Sequence, residues 1–322
     1  MADVEAAGGR HRALDSNAAA KAGDDRAASD RAARKEKLVA ADKLAAPPAA
    51  SPTNWQPTWS PDGKWIAYAS NREGSFEIWK SDGVHVRRIA RDGSLPAWSP
   101  DGARVAFTRD GGGISLVGKA GGAVRPLTSE QYGLEPSWSP DGRRIAFTRP
   151  GGCGDGFAIE VMRSDGRNEE QVSGSSEFEA HTAPAWAPDG RKIAYVHNAY
   201  VGESVTLHWT FPDSNTYDYV EPQLLKGKRP GRPSWSPDGR YLVFADDRTS
   251  KNLYSTPTGF GPLYVLDLQK HRLRRLTRMA ATTPSWSPRG KRIAFAAKTP
   301  VGTVELYLID PDGSDLVRLS RQ

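Results

Sequence analysis

The chain holds a single cysteine, Cys153, among its 322 residues. One thiol excludes an intramolecular disulfide and a cysteine-based zinc site. No run of residues is long and apolar enough to cross a bilayer as a helix, and no basic segment followed by an apolar stretch opens the chain. We expect no membrane span. The localisation stays open, because the sequence as written fits a cytoplasmic protein and equally an exported one whose leader is missing.

The chain also lacks a large excess of charge of either sign. It has 44 basic and 38 acidic residues, and its formal net charge is +6. Two short basic runs stand out, at residues 226–232 and 270–275. Neither is interleaved with aromatic side chains, and no nucleic-acid-binding motif accompanies them. We interpret both runs as solvated surface and predict no nucleic-acid partner.

Repetition is what the chain has in abundance. A Pro-x-Trp-Ser-Pro-Asp-Gly phrase, followed by basic residues and an Ile-Ala-Phe-like run, occurs six times. The copies recur every ~40 to 50 residues, a period typical of repeat architectures, and they centre on Trp59, Trp98, Trp138, Trp186, Trp235 and Trp286. Two copies depart from it, because Ala187 replaces the turn serine in the fourth and Arg289 replaces the aspartate in the sixth.

The second copy shows what one repeat contains. A short apolar strand ends at Trp98, and Ser99-Pro-Asp-Gly102 then has the residues of a tight turn. Three further strand-like segments follow before Thr128, separated by glycine-rich breaks. Four antiparallel strands of this size cannot bury both faces alone, whereas repetition around an axis buries them. The sequence thus predicts an all-β fold, a six-bladed β-propeller of four-stranded antiparallel blades.

The repeats divide the chain into two parts. Residues 54–322 form the predicted propeller, and residues 1–53, rich in Ala, Asp, Arg and Lys, are predicted to be a disordered or partly helical tail. We expect the blades at approximately residues 54–90, 95–128, 135–173, 183–226, 232–277 and 283–321. No strand is left over to complete the last blade, so closure of the ring is expected to rest on side-chain packing between blades one and six.

The repeated phrase resembles the WD40-like (PD40) repeats of the TolB family, the periplasmic propeller of the Tol–Pal envelope system. The resemblance covers about residues 54–321. It implies the propeller fold, and relatives of this kind are usually periplasmic or exported. Similar repeats also build propellers of prolyl-oligopeptidase-like peptidases and of some polysaccharide lyases, so the resemblance leaves binding and enzymatic functions open.

Loop lengths predict where a partner would bind. The connections between strands two and three and between blades vary most, and variable loops on a rigid scaffold are where binding usually occurs. We predict a non-enzymatic protein–protein interaction scaffold whose partner docks on this loop-rich face of blades three to five. The candidate contacts are Arg149, Glu179, His181, Tyr200, Asp247, Arg248, Tyr254 and Phe260.

The sequence contains no motif that indicates an enzyme. The chain has no Gly-x-Ser-x-Gly elbow, so we predict no catalytic residues and no cofactor. Weak metal candidates are His181 with His197, and Asp310, Asp312 and Asp315, whose calcium-loop spacing coincides with an ordinary hairpin turn. The alternatives are a lyase or hydrolase at the channel mouth, with or without a metal ion, and a sensor that binds a peptide, a carbohydrate or another small ligand.

The residue before each repeat proline is expected to line the mouth of the central channel. These positions hold one acid and one base and do not resemble a dedicated metal site; they are Gln56, Leu95, Glu135, Ala183, Arg232 and Thr283.

Overall fold

The computed structural model describes residues 53–319, apart from 131, 152–155, 175, 177, 200–203, 215, 221, 226 and 248–258. The chain divides into two compact units, residues 1–51 and 52–322, and every described residue belongs to the second. Cys153 and residues 1–52 of the predicted tail lie outside the described residues.

The described residues form 24 strands in six consecutive sets of four, which we call repeats 1 to 6. Repeats 1 to 3 comprise β1 (Asn54–Trp59), β2 (Ile66–Glu73), β3 (Ser75–Ser81), β4 (Val86–Ala90), β5 (Gly93–Trp98), β6 (Arg104–Arg109), β7 (Ile114–Gly118), β8 (Arg125–Pro126), β9 (Leu134–Trp138), β10 (Arg144–Pro150), β11 (Phe157–Arg163) and β12 (Glu170–Gln171). Repeats 4 to 6 comprise β13 (Glu179–Trp186), β14 (Ile193–Ala199), β15 (Ser204–Phe211), β16 (Thr216–Tyr219), β17 (Ser234–Trp235), β18 (Tyr241–Ala245), β19 (Leu263–Asp267), β20 (Arg272–Arg275), β21 (Ala281–Trp286), β22 (Ile293–Lys298), β23 (Val304–Ile309) and β24 (Val317–Arg318). A 3-10 helix, Pro222–Leu225, follows repeat 4.

Within each repeat, neighbouring strands pair antiparallel and in chain order, as the sequence predicts. Repeats 1, 2, 5 and 6 are separate four-stranded sheets. Repeats 3 and 4 join into one eight-stranded sheet, because β11 and β13 meet in a short parallel pairing of Phe157 with Ala180. The first strand of repeat 4 begins at Glu179, four residues before its predicted start, and this extension makes the pairing possible.

The Ser-Pro-Asp-Gly phrase forms the turn between the first two strands of a repeat. In repeat 2, Ser99 Oγ donates to Asp101 Oδ1 at 2.5 Å and accepts from the Arg104 backbone N–H at 2.9 Å. Gly102 has φ 66°, in the left-handed region that favours glycine. Serine and aspartate thus satisfy backbone donors at the turn, which explains why both residue types recur there.

The two departures from the phrase each remove part of this network. In repeat 4, Asp189 Oδ1 still accepts from the Arg191 backbone at 3.0 Å, but Ala187 has no hydroxyl to join it. In repeat 6, Ser287 Oγ still accepts from the Arg292 backbone at 2.9 Å, and Arg289 replaces the aspartate. The turns keep their path with fewer hydrogen bonds.

Five of the six repeat tryptophans pack against the preceding repeat, as expected from the sequence. Trp98 lies in an apolar cluster with Ala67 and Ile78 of repeat 1. The same arrangement, a tryptophan against the second and third strands of the preceding repeat, is found for Trp138, Trp186, Trp235 and Trp286. Each tryptophan therefore buries apolar surface that a single repeat could not cover.

Repeats 1 and 6 also pack against each other. Tyr68 and Trp79 share a cluster of buried residues with Ala296, Val304 and Leu306. Within the described ranges, no strand of repeat 1 pairs with a strand of repeat 6. The contact between the first and last repeats consists of side-chain packing rather than a shared sheet.

Candidate functional site

Three histidines of repeat 4 lie side by side on adjacent strands. His181 on β13 is directly opposite His197 on β14, and their rings are 5.0 Å apart. His208 on β15 stacks on His197, with ring centroids 4.3 Å apart and an angle of 15° between the rings. The longer β13 creates this row, because His181 belongs to the part of the strand that precedes the repeat phrase.

His181 is held in one orientation and is almost fully buried, with 4% of its surface exposed. Its Nδ1 lies 2.9 Å from Ser173 Oγ, whereas its Nε2 is buried without a hydrogen-bond partner. Burial, with smaller contributions from the neighbouring His197 and His208, lowers the pKa of His181 to about 3. The imidazole is therefore neutral at pH 7, with Nδ1 hydrogen-bonded to Ser173 and Nε2 without a hydrogen bond.

Glu179 faces the unengaged side of His181. Its Oε2 is 3.7 Å from His181 Nε2, and its Oε1 is 3.5 Å from His197 Nε2. The carboxylate is 40% exposed, so it forms the solvent side of a group otherwise inside the sheet. Glu179, His181 and His197 each have one possible metal-ligand atom within 4.8 Å of the other two. Within the described ranges, no other set of three His, Cys, Asp or Glu residues meets this criterion. We call Glu179, His181 and His197 the Glu-His-His group.

His208 and Tyr195 complete the surroundings of this group. Burial lowers the pKa of His208 to about 4, with a further contribution from His197. Burial also raises the pKa of Tyr195, whose ring lies 5.0 Å from that of His181. These neighbours are uncharged at neutral pH, and Glu179 supplies the negative charge beside them.

The acidic residues near the end of the chain take part in hairpin hydrogen bonds. Asp312 Oδ1 accepts from the Ser314 backbone at 2.8 Å and from Ser314 Oγ at 2.6 Å. Asp310 pairs with Arg292 at 2.9 Å, and Asp315 has φ 49° at the turn. This geometry serves the turn itself, and the calcium interpretation of these three residues stays a prediction.

Several predicted partner contacts are buried. Phe260, expected to be exposed, is 8% exposed because its ring packs edge-on against Trp55 at 5.4 Å. Asp247 is 5% exposed, and its Oδ2 accepts from the Gly259 backbone at 2.9 Å. Together with His181, these side chains support the scaffold instead of offering surface. Tyr200, Arg248 and Tyr254 lie outside the described residues.

Arg149 and Glu179 are predicted contacts that remain accessible, and Arg149 is also held by its neighbours. The Arg149 side chain is 43% exposed and donates to Glu160 Oε1 at 2.5 Å, where Glu160 is buried. The guanidinium also lies over the ring of Tyr132, 5.3 Å from its centroid. Sequence reasoning missed Tyr132 and Phe178, which are 48% and 54% exposed on the connections leading into repeats 3 and 4. Their position in connections that were already identified as variable was the available signal.

The first strands of all six repeats line a shared cavity of about 310 Å³. Of the positions before the repeat prolines, Gln56, Arg232 and Thr283 are among the lining residues, whereas the expected Leu95, Glu135 and Ala183 are not. The repeat prolines and the residues that follow them form most of the cavity wall. Five of the residues before the repeat prolines have positive φ, between 45° and 58°, namely Gln56, Leu95, Glu135, Ala183 and Thr283. The pairing of the first two strands shifts register at this point in most repeats, which is a β-bulge. The bulge was not apparent from the sequence.

Glu135 links neighbouring repeats at this bulge. Its Oε2 accepts from Thr148 Oγ1 at 2.8 Å and from the Ala183 backbone of repeat 4 at 2.6 Å. Burial raises the pKa of Glu135, and the charge of Arg232 opposes that shift. Gln56 makes the equivalent bond to the Leu95 backbone at 2.8 Å. These side chains hold the first strands together, which gives them a structural role.

No helix in the described part of the chain has the length and hydropathy needed to cross a bilayer. The fold is that of a β-propeller-type repeat protein. A family model for the TolB beta propeller domain matches residues 42–155 and 151–322. The chain therefore belongs to the TolB beta-propeller family.

Solved structures agree with this assignment at the level of fold. The chain is 20% identical to a putative TolB from Agrobacterium tumefaciens (TM-score 0.60), covering 73% of this chain and 84% of that one. It is 21% identical to TolB from Acinetobacter baumannii (TM-score 0.61), covering 84% of this chain and 64% of that one. An oligogalacturonate lyase from Vibrio parahaemolyticus is 13% identical (TM-score 0.53), with 82% and 92% covered. A comparison with curated protein sequences finds no match.

Proposed function

We propose that this protein is a non-enzymatic, six-bladed propeller that binds a protein partner through the loop-rich face of repeats 3 and 4. Two features support six blades in a closed ring. First strands from all six repeats line one cavity, and repeat 1 packs against repeat 6. Such a ring presents its inter-repeat connections together on one face.

The observation that carries the proposed binding face is its pair of exposed aromatic side chains. Tyr132 and Phe178 occupy equivalent connections, each between the outer strand of one repeat and the inner strand of the next. Arg149 packs on Tyr132, and Glu179 follows Phe178 directly. Aromatic residues and arginine are enriched at protein–protein interfaces, where a few of them carry most of the binding energy.

The charges beside these aromatics support a polar rim around an apolar contact. Arg149 and Glu179 are both partly exposed, at 43% and 40% of their side chains. A partner would bury Tyr132 and Phe178 while the charges at the edge set orientation. Because Arg149 is already paired with buried Glu160, its position is fixed before a partner arrives.

Quantitative affinity capture with chemical cross-linking tests the proposal. Wild type is compared with Tyr132→Ala/Phe178→Ala and with the control Tyr217→Ala, whose exposed tyrosine lies on outer strand β16. We expect one protein to be enriched by wild type and by the control, to be lost with the double variant, and to cross-link near residues 130–150 or 178–199. Equal enrichment by all three proteins, or cross-links confined to the Ser-Pro-Asp-Gly turns, would contradict the proposed face.

A further inference from the structure

We propose that Glu179, His181 and His197 bind a divalent transition-metal ion, with Zn²⁺ as the matching probe. The inference is independent of the proposed partner-binding function. It rests on the spacing of three donor atoms and on a buried imidazole nitrogen without a partner.

The two carboxylate-to-imidazole distances in this group fit a shared ion better than direct hydrogen bonds. Imidazole N–H donors approach a carboxylate oxygen to ~2.7–3.2 Å when they form a hydrogen bond. Glu179 stands 3.5 Å from one imidazole and 3.7 Å from the other. Ligands around a tetrahedral zinc ion, bound at ~2.0–2.2 Å, lie about 3.4 Å from one another. The carboxylate-to-imidazole distances are therefore close to those of zinc ligands.

His181 supplies the second and independent observation. Its Nε2 is buried without a hydrogen-bond partner, although a buried polar atom in this state is costly. The opposite nitrogen is fixed by Ser173 Oγ at 2.9 Å. A metal-binding histidine ordinarily has its other ring nitrogen engaged in this way, which fixes the tautomer and aims the free nitrogen at the ion. An ion at Nε2 would satisfy the orphaned atom.

The donor set narrows the class of ion. Two imidazole nitrogens and one carboxylate oxygen suit Zn²⁺ and similar first-row metals, whereas Ca²⁺ and Mg²⁺ prefer oxygen ligands. Three protein donors leave a fourth position for water or for a group from a bound molecule. Cross-strand pairing of His181 with His197 places two of the ligands on a rigid part of the sheet.

The test uses full-length protein without a histidine tag, stripped with a chelator and titrated with ZnCl₂. Bound zinc is measured by calorimetry and by elemental analysis after gel filtration. Wild type should retain one zinc per chain and melt at a higher temperature with zinc than without it. Losing a second-shell partner of a metal ligand weakens binding by ~10 to 100-fold, so His197→Gln and Glu179→Gln should each weaken it by at least about ten-fold.

Three further variants keep the result interpretable. His85→Gln removes an exposed histidine of the repeat 1 hairpin, which pairs with Asp82, and should bind zinc as wild type does. Ser173→Ala leaves all three donors in place and should weaken zinc by ~10-fold through loss of ring orientation. His181→Gln replaces a buried side chain, so its zinc binding is interpreted only if its unliganded melting curve matches wild type. If His181→Gln does not fold, Glu179→Gln tests the same site, because the Glu179 side chain is partly exposed.

Each result of the zinc-binding experiment either supports or overturns the proposal. One zinc per chain in wild type, reduced in Glu179→Gln and His197→Gln but not in His85→Gln, supports the proposal. Absence of zinc binding by wild type overturns it, and so does zinc binding that survives both ligand variants. A preference for Ca²⁺ or Mg²⁺ over Zn²⁺ would also overturn it, since the imidazoles would then play no part.

Discussion

Repeats 3 and 4 are neighbours in one eight-stranded sheet, yet they place different chemistry at the same positions. In repeat 3, Phe147 faces Glu160 across the strands, and Arg149 lies two residues further along. In repeat 4, Tyr195 faces His208, and His197 lies two residues further along. An ion pair in one repeat is thus replaced by a pair of stacked rings in the next. The strand pairing is the same in both repeats, so the difference at these positions lies in the side chains.

The first strands of repeats 3 and 4, β9 and β13, also differ in their side chains beside this position. Register aligns Leu134 with Thr182, because they pair with Thr148 and Val196 respectively. Gly133 of repeat 3 therefore corresponds to His181 of repeat 4. Repeat 3 has no side chain at that point, whereas repeat 4 adds an imidazole beside His197. At this position repeat 3 therefore lacks the third donor, and repeat 4 carries a candidate metal site on the same framework.

The largest expected effect comes from breaking the ion pair of repeat 3. Arg149→Ala leaves the buried carboxylate of Glu160 without its half-exposed charged partner, and leaving a buried acceptor unpaired costs ~2–3 kcal/mol. We expect urea unfolding to show a decrease in stability of that order. His197→Ala, at the matching position of repeat 4, should cost about 1 kcal/mol without metal, since it loses ring packing and one long contact, of Nδ1 with Thr206 Oγ1 at 3.5 Å.

A double variant sharpens that result. Arg149→Met combined with Glu160→Leu removes both charges, and apolar replacement of a buried ion pair is often neutral. Its stability should return to within about 1 kcal/mol of wild type. A double variant as unstable as Arg149→Ala would show that packing rather than charge dominates at this position.

The turns between the first two strands provide a smaller effect. Ser139 Oγ donates to Asp141 Oδ1 at 2.6 Å and accepts from the Arg144 backbone at 2.9 Å. Ser139→Ala gives repeat 3 the residue that repeat 4 has at Ala187, and loss of these bonds should cost about 1–2 kcal/mol. The midpoint of urea unfolding measures it, and an unchanged midpoint would refute the role assigned to the serine.

The reverse substitution should stabilise the protein slightly. Ala187→Ser places a hydroxyl beside Asp189, as in the turns of repeats 1, 2, 3 and 5. The position is buried, and the equivalent serines fit there. We expect a gain of about 0.5–1 kcal/mol, visible as a higher melting temperature. A lower melting temperature would mean that repeat 4 packs its turn differently.

The smallest expected effect is on the stability of the fold at low pH. The Ser139 hydroxyl is the main cause that lowers the pKa of Asp141 below its ordinary value of 3.8. A carboxyl with a lowered pKa in the folded state stabilises the fold above pH 3.8, and this contribution is lost as pH falls further. Wild type should therefore lose stability below about pH 4. Ser139→Ala should lose less over the same interval, as measured by unfolding at pH 5 and pH 3.

The repeat phrase predicted the strands, their order, the turns and the tryptophan packing, because these depend on residues close together in the chain. Burial of Phe260 and Asp247 could not be predicted, since it arises from contact with Trp55 and Gly259, and Trp55 is distant in sequence. His181 and His197 were recognisable as a pair on adjacent strands. The addition of His208 required the strand register, which hydrophobic pattern alone does not define.

The central claim is that repeat 4 holds a metal ion between Glu179, His181 and His197. Crystals of chelator-stripped protein, soaked with one equivalent of Zn²⁺, allow anomalous difference maps on both sides of the zinc absorption edge. The account predicts a single strong peak between these three side chains, about 2.0–2.2 Å from His181 Nε2, His197 Nε2 and a Glu179 oxygen. Zinc peaks elsewhere with none in this group would contradict it.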